Sequence, residues 1–311
     1  MSQRVVSLIS SATEIVVALG LGDLLVGRSH ECDFPESIRG LPVCSEPRID
    51  VNASSAEIDR QVRAAVGDAL SIYKVDAALL NELQPTHVIT QTQCEVCAVS
   101  LKDVEQALCQ MVSSQPRIIA HEPNSLDDIW KDIQRTADEL GHPERGVELV
   151  SSLQNRLQAI RVAGESRGHR PKILCLEWLS PMMSAGNWVP ELIEIAGGKS
   201  LLSTPGQHSP YFSWMDLLQA NPDVILMMPC GFDIPRTVSE LGVLFDAPEW
   251  FELRAVQQGR VYVADGNQFF NRPGPRIVES AEILAEVLFD PGHQRLDARH
   301  HGTGWLRLEE C

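Results

Sequence analysis

The chain has 311 residues, of which 44% are hydrophobic and 22% charged, and this composition excludes a disordered, collagen-like or coiled-coil protein. The formal net charge of −16 argues against nucleic-acid partners, because binding to DNA or RNA depends on neutralising phosphates with cationic side chains. Eight cysteines are too few for a disulfide scaffold in a chain of this length, which instead predicts one large or two smaller domains.

The first part of the chain alternates between short apolar runs and a helical pattern. Val5–Ile9 is typical of a buried strand, and Leu24–Val26 is typical of a second one. Between them, Ser11 and Glu14 have the spacing of a capping box, so we expect Ser11 to cap a helix that ends at Gly20. A strand, a helix and a strand in this order form the unit of a parallel sheet.

Two sequence phrases recur in the second half of the chain. Glu14–Leu25 resembles Glu191–Leu202 in the positions of its glutamate, glycine and paired leucines. Leu83–Ile89 and Gln219–Ile225 each combine a helix end, a proline and a strand. We therefore expect two lobes of related α/β design, the first enlarged by an amphipathic helix over Ser54–Val75.

Apolar residues recur at helical spacing between Pro143 and Arg167, which predicts one long helix between the lobes. The expected division is an N-terminal lobe over residues 1–142, a linking helix over 143–168, a C-terminal lobe over 169–291 and a tail over 292–311. The tail shows no clear period, so we expect a loose extension with His300 and His301 solvated.

Several segments, taken in order, carry a family resemblance. They are Arg4–Glu14, Asp33–Pro35, Leu83–Ile89, the predicted long helix and Asn271–Arg276. Together they resemble the class III substrate-binding proteins, the helical-backbone family that delivers cobalamin, haem, siderophores and some metals to ABC importers. The cobalamin-binding branch is the nearest.

The resemblance implies an α/β fold of two Rossmann-like lobes with parallel sheets, joined by one long backbone helix, with a ligand cleft between the lobes. It implies a monomeric binding protein and not an enzyme, with a corrinoid, haem or siderophore as its small-molecule ligand. An ABC permease is the candidate protein partner. The sequence also lacks the P-loop, G-x-S-x-G and H-E-x-x-H patterns of common enzymes, so an enzyme with an unfamiliar site in the cleft is the remaining alternative.

Ligands of such folds lie at the carboxyl ends of the strands. In the first lobe, Ser29–Phe34 and Gln91–Cys97 each follow a predicted strand. The candidate ligand-binding residues of these two loops are His30, Glu31, Phe34 and Glu95.

Cysteines in the same loops suggest a metal or redox site. Cys94 and Cys97 have Cys-x-x-Cys spacing, and we expect Cys32 and His30 in the neighbouring loop. These four residues form a candidate site for zinc, iron or another soft metal. The alternative is that these cysteines pack against their neighbours or line the loops, which is the commoner role of small buried cysteines. A cytoplasmic metal-binding or thiol-redox protein on the same scaffold, using the three cysteines, is accordingly the alternative function.

Aromatic residues and one arginine follow the predicted strands of the second lobe. The candidate ligand-binding residues there are Trp178, Trp188, Tyr211, Phe212, Phe232, Phe270 and Arg276. Aromatic side chains offer flat apolar area to a large planar ligand, although some are expected to pack the lobe instead. We expect Trp188 and Phe270 to contact ligand and not the core. His208 could ligate the metal of such a ligand, but a solvated loop histidine is the commoner role.

The N-terminus has no apolar run of signal length and no small-residue cleavage site, which predicts a cytoplasmic protein as the sequence stands. A periplasmic or cell-surface location is expected if a signal segment originally preceded this sequence. These features require no cofactor. A cobalamin-like corrinoid is expected as ligand, and zinc or iron is expected if the cysteines bind metal.

Overall fold

The structure, a computed structural model, describes residues 3–67, 71–92, 103–105, 115–290 and 298–311. Contacts divide the chain into two compact units. Unit 1 comprises Met1–Ala53, Glu57–Pro123 and Asp127–Ser152, and unit 2 comprises Ser54–Ala56, Asn124–Leu126 and Leu153–Cys311. Each unit is built around its own sheet, in agreement with the two α/β lobes expected from the sequence.

Unit 1 contains a parallel sheet and a small antiparallel pair. The strands are β1 (Val5–Ser7), β2 (Leu25–Arg28), β3 (Ser45–Pro47), β4 (Tyr73–Val75), β5 (His87–Gln91) and β6 (Arg117–His121). The parallel sheet has the order β2-β1-β5-β6, and β3 pairs with β4. All residues of β1 and β5 are buried, because a parallel sheet is covered on both faces.

Four helices of unit 1 have bounds that lie within the described residues. They are α1 (Ser10–Ala18), α2 (Ser55–Gly67), α3 (Ala77–Leu83) and α4 (Leu126–Glu139), and the first two residues of α2 belong to unit 2. Val6, Leu80 and Val88 lie in the core of the unit. Gly27 of β2 packs so closely that an added Cβ would lie 2.7 Å from the Cys44 sulfur, which accounts for a glycine inside a strand.

The predicted capping box at Ser11 is wrong. The first strand ends at Ser7 and not at Ile9, so α1 begins at Ser10 and its N-cap is Ile9, without a side-chain cap. Ser11 is therefore a buried residue of the first helical turn. The Thr13 hydroxyl instead donates to the Ser7 Oγ at 2.9 Å, which ties the helix to the end of β1.

The predicted helix over Ser54–Val75 is correct only in its first part. The helix ends at Gly67, and Tyr73–Val75 forms β4. Tyr73 is buried and Lys74 exposed, which is the alternation of a strand with one covered face. A partner distant in sequence, β3, supplies the hydrogen bonds that decide between helix and strand here.

Unit 2 is organised around a larger mixed sheet. Its strands are β7 (Lys172–Trp178), β8 (Met183–Ser184), β9 (Lys199–Ser200), β10 (Val224–Met227), β11 (Val261–Ala264) and β12 (Trp305–Arg307). The order is β12-β11-β10-β7-β8, and β9 also pairs with β7. The strands β7, β10 and β11 are parallel, whereas β8 and β12 run antiparallel to their neighbours.

A single unbroken helix, α5 (Pro143–Glu165), contains the boundary between the units, which falls between Ser152 and Leu153. This confirms the long helix predicted from apolar spacing, although it ends two residues before Arg167. Gly164 is needed near its end, because an added Cβ would lie 2.9 Å from the backbone of Ala196.

The remaining helices belong to unit 2. They are α6 (Val189–Ile195), α7 (Trp214–Ala220), α8 (Ile234–Ser239), α9 (Gly242–Phe245), α10 (Arg254–Gln257) and α11 (Ile277–Leu288). Short 3₁₀ turns cover Gly22–Leu24, Glu36–Ile38, Pro248–Glu252 and Leu308–Glu310. Among the described residues, no helix combines the length and the apolar composition needed to span a membrane.

The repeated phrases adopt matching backbone geometry. The helices α3 and α7 both end at a left-handed residue before a proline, with φ of 45° at Gln84 and 42° at Asn221. Likewise, Gly20 and Gly197 follow α1 and α6 with φ of 70° and 91°. Glycine is favoured at this position because a left-handed backbone penalises a Cβ. The internal repeat is thus confirmed at the level of helix termination.

The expectation of a loose tail is wrong for residues 298–311. Strand β12 pairs with the outer edge of β11, and the Trp305 ring is buried against Tyr262. The Glu286 carboxylate accepts a 2.7 Å hydrogen bond from the Trp305 indole. His300, predicted to be solvated, is also buried and lies 2.8 Å from Glu282. Pairing with β12 covers an otherwise exposed edge of the sheet.

Candidate functional site

The carboxyl ends of the four parallel strands of unit 1 meet at one edge of the sheet, which we call the unit 1 edge. The loop after β2 begins at Ser29 and carries His30 and Glu31. Its position is held by the Ser10 hydroxyl, which donates to the Glu31 carbonyl oxygen at 2.9 Å. Because Ser10 is the first residue of α1, two segments that leave neighbouring strands are joined at this edge.

His30 is oriented by two residues of the β3–β4 pair. Its Nδ1 lies 2.9 Å from the Ser45 Oγ, and its ring centroid lies 5.3 Å from that of Tyr73. The side chain retains 22% of its exposure, so the imidazole is partly accessible. Burial lowers the pKa of His30, because desolvation disfavours the charged imidazolium. The neutral ring is therefore the form expected at neutral pH.

Glu31 and Phe34 complete the described candidates of unit 1. The Tyr73 hydroxyl donates to Glu31 Oε1 at 3.2 Å, and the same oxygen lies 3.9 Å from His30 Nε2. The Phe34 ring is exposed in the same loop. The structure thus brings His30 and Glu31 together, whereas Glu95 lies outside the described residues.

Cys32 is a buried residue of the loop after β2. Its sulfur lies 3.0 Å from the Thr13 hydroxyl oxygen and 3.3 Å from the Ser29 Oγ. Burial raises the pKa of the Cys32 thiol, which disfavours the thiolate that metals and redox chemistry require. These contacts support the packing alternative for Cys32.

Cys94 and Cys97 lie outside the described residues, so the predicted set of three cysteines and His30 stays a prediction. Within the ranges that the structure does describe, no group of three or more histidine, cysteine, aspartate or glutamate residues is arranged to hold a metal ion.

Trp178 and Phe232 meet at the carboxyl ends of β7 and β10, with ring centroids 5.2 Å apart. The Trp178 indole is half-buried and donates to the Ser55 carbonyl oxygen at 3.1 Å. Phe232 is buried, and the Arg236 guanidinium carbon lies 4.8 Å from the centroid of its ring. Phe232 is therefore enclosed within unit 2, while Trp178 keeps part of its surface.

Trp188 and Phe270 pack inside unit 2, and the expectation that they face a ligand is corrected. Their exposed fractions are 5% and 0%, and the Trp188 indole donates to the Phe270 carbonyl oxygen at 2.7 Å. The Phe270 amide in turn donates to the Ser280 hydroxyl on α11. Both rings stabilise the loop after β11, because a large apolar side chain contributes most hydrophobic free energy when it is completely buried.

Tyr211 and Phe212 have different environments although they are adjacent. Tyr211 is 55% exposed and forms an isolated bridge with Met183, beside the carboxyl end of β7. Phe212 packs against the hydrophobic core of unit 2. Of this pair, Tyr211 is the one with surface available to a ligand.

Arg276 is buried at the start of α11. It donates to the Gln268 carbonyl and side-chain oxygens at 2.8 and 3.1 Å, and lies 5.1 Å from the Phe269 ring centroid. These contacts brace the loop after β11. The candidate His208 is exposed in its loop, and its Nδ1 lies 3.1 Å from the neighbouring carbonyl oxygen of Ser209.

Sequence reasoning missed Ser45 and Tyr73, the two residues that orient His30 and Glu31. Both lie on the short β3–β4 pair, which the sequence reading took in part for helix. The β-branched and aromatic residues of Ile72–Val75, bounded by Ser71 and Asp76, are the local signal that could have indicated a strand.

Comparisons with known proteins agree with this architecture. The vitamin B12-binding protein of Photorhabdus laumondii is 22% identical over 291 residues, which cover 93% of this chain and 89% of that protein. An uncharacterised ABC transporter substrate-binding lipoprotein of Bacillus subtilis, YvrC, is 22% identical and covers 92% of this chain and 80% of its own length.

Among solved structures, the periplasmic haem-binding protein RhuT of Roseiflexus sp. RS-1 in its apo form superposes with a TM-score of 0.67. It is 25% identical, and the alignment covers 93% of this chain and 99% of that one. The family model described as periplasmic binding protein matches residues 5–267. Because this match spans most of the chain, the protein belongs to the periplasmic binding protein family.

Proposed function

We propose that this protein binds a corrinoid, or another metal-bearing macrocycle such as haem, as the substrate-binding component of an ABC importer. The observation that carries the proposal is the alignment with a vitamin B12-binding protein along nearly the whole chain. The family match over residues 5–267 contains β1 to β11 and the loops that follow β1 to β10, and ligands of open α/β sheets bind at such loops.

The chemistry of the described loops supports a large, mostly apolar ligand with a few polar contacts. Exposed aromatic rings are available at Phe34 in unit 1 and Tyr211 in unit 2. The partly accessible His30 and Glu31 add a neutral imidazole and a carboxylate. Pockets for small molecules combine apolar area with a small number of placed polar groups in this way.

The proposed partner is an ABC permease, since the relative from Bacillus subtilis is a substrate-binding lipoprotein of such a transporter. This role would place the protein outside the cytoplasmic membrane. Fractionation of the native host would test the location. Recovery in the cytoplasm alone would oppose a transport role without opposing ligand binding.

Equilibrium titration with cyanocobalamin, haemin and a ferric siderophore tests the binding proposal. We expect saturable binding of a corrinoid or haemin, weakened by Tyr211→Ala or Phe34→Ala. Phe251→Ala is the matched control for Tyr211→Ala, because the exposed fractions of Phe251 and Tyr211 are 57% and 55%, while Phe251 lies in a 3₁₀ turn that does not directly follow a strand. Absence of binding to all three compounds at micromolar concentrations would refute the proposal.

A further inference from the structure

A groove between the part of α5 that belongs to unit 2 and α11 has a volume of about 420 Å³. We call it the helix groove. Ile160 and Ala163 of α5 line one side, together with Arg167, which lies two residues beyond the end of that helix. Ala285 and Phe289 line the other side. Sites for small organic ligands have volumes of roughly 300–1,000 Å³, so the helix groove is large enough to hold one.

The helix groove lies beside the amino-terminal ends of the strands of unit 2. Arg260, which immediately precedes β11, donates to the carbonyl oxygen of Leu288 at 2.7 Å, and the next residue, Phe289, lines the groove. Likewise, Arg170, two residues before β7, donates to the carbonyl oxygen of Gly198 at 2.8 Å, close to the end of α6. The macrocycle is proposed to bind at the carboxyl ends of the strands, so the helix groove is a separate site.

Small apolar residues keep the helix groove open. The side chains of Ala159, Ala163 and Ala285 end at Cβ, and Gly164 has none. An added Cβ at Gly164 would lie 2.9 Å from the backbone of Ala196, so these two lining residues close the groove between α5 and the end of α6. Such walls offer space and dispersion contacts but no hydrogen-bond partners, which suits a slim apolar group.

Two carboxylates on the α11 side are bound by other groups of unit 2. Glu282 accepts a 2.8 Å hydrogen bond from the Arg156 guanidinium and lies 2.8 Å from His300 Nε2. Glu286 accepts the indole N–H of Trp305 at 2.7 Å. Because the protein itself supplies donors to both carboxylates, they do not call for a cationic ligand.

Arg167 is the cation of the helix groove that pairs with no carboxylate among the residues that the structure describes. Its guanidinium carbon lies 4.9 Å from the centroid of the Phe289 ring. This attraction acts through the face of the ring, so the N–H groups of the guanidinium can still donate to an anion. A carboxylate is a matching partner, because its two oxygens accept two parallel N–H groups.

We propose that the helix groove binds a small amphipathic carboxylate, such as a medium-chain alkanoate. The carboxylate accepts hydrogen bonds from the Arg167 guanidinium, and the apolar chain lies between Ala163 and Ala285. This site goes beyond the function proposed above, because it lies at the opposite ends of the strands and requires no macrocycle.

Octanoate and octanamide test the requirement for charge, since they have the same chain and differ in the head group. Isothermal titration calorimetry should show saturable binding of octanoate, about tenfold tighter than that of octanamide, because hydrogen bonds to a charged group are the stronger ones. Arg167→Gln should remove this preference. Arg161→Gln is the matched control, because Arg161 is an exposed arginine of α5 that does not line the groove.

A filled groove tests the position of the apolar chain. Ala163→Phe places a ring where the chain is proposed to lie and should weaken binding of both compounds by about tenfold or more. Val162→Phe is the control, because Val162 is 57% exposed and does not line the groove. Thermal denaturation shows that each variant is folded before it is titrated.

Several results would overturn the inference. They are the absence of saturable octanoate binding, equal affinity of the wild-type protein for both compounds, and unchanged octanoate affinity in Arg167→Gln or Ala163→Phe. Competition between octanoate and the macrocycle would also overturn it, because octanoate would then bind at the carboxyl ends of the strands. The proposed function would stand in each case, since titration with cyanocobalamin and haemin measures it independently.

Discussion

The Trp188 indole N–H donates a 2.7 Å hydrogen bond to the carbonyl oxygen of Phe270, and both residues are buried in unit 2. This bond connects the start of α6 to the loop after β11, segments more than eighty residues apart. Phe270 adopts a left-handed backbone with φ of 62°, which a non-glycine residue tolerates only where its surroundings hold it. The pair is therefore a structural anchor of unit 2.

Trp188→Phe should lower the free energy of unfolding by about 1–3 kcal/mol, because it leaves the buried Phe270 carbonyl without its donor. Denaturant titration measures the effect. Met215→Ala is the control, since Met215 is 74% exposed and its removal should change stability by less than about 0.5 kcal/mol. An unchanged stability of Trp188→Phe combined with weaker ligand binding would instead restore Trp188 as a ligand contact.

Glu286 should control the attachment of the C-terminal strand. Its carboxylate accepts the Trp305 indole N–H and the backbone N–H groups of Arg299 and His300. Glu286→Ala leaves the buried Trp305 and His300 donors without this acceptor, so we expect destabilisation by about 2–3 kcal/mol and faster proteolytic loss of β12. Glu165→Ala, at the exposed end of α5, should do neither. Equal protease resistance of the two variants would contradict this account.

His121 should make stability fall in acid. Burial, together with the smaller effect of the nearby Arg135 charge, lowers the pKa of His121 from 6.5 to about 3. The unfolded chain takes up this proton near pH 6.5, while the folded protein excludes it until about pH 3. Stability therefore decreases as pH falls through this window, by at most about 1.4 kcal/mol per pH unit.

Replacing His121 by an uncharged residue tests this dependence. His121→Gln should flatten the slope of unfolding free energy against pH between about 6.5 and 3, because glutamine takes up no proton. The Thr136 hydroxyl, 2.9 Å from His121 Nε2, could still pair with the amide. The exposed His169→Gln serves as control. A wild-type slope in the His121 variant would show that other groups cause the acid sensitivity.

Thiol labelling should divide the described cysteines by burial. Cys32 and Cys175 are buried, and desolvation raises the pKa of both thiols, so they should react with iodoacetamide only when the protein is unfolded. Cys311 is exposed and should react in the native state. Site-resolved mass spectrometry follows each residue. Rapid labelling of Cys32 in the folded protein would instead support a role for this residue in a metal or redox site.

The sequence by itself determined the features that depend on near neighbours in the chain. Apolar spacing predicted α5, and the repeated phrases predicted strands that follow helix ends at Gln84 and Asn221. Helix periodicity, proline and left-handed termination act over a few residues, so they can be read without knowing the fold. The same local logic placed His30 and Glu31 in a loop after a strand.

Tertiary structure alone decided which loop aromatics are buried and what surrounds the candidate site. Trp188 and Tyr211 both follow strands in the second half of the chain, yet only contacts with distant segments bury the first and leave the second exposed. Likewise, Ser45 and Tyr73 reach His30 only through the pairing of β3 with β4. The free energy of burial and strand pairing depends on partners far away in sequence, which local patterns do not specify.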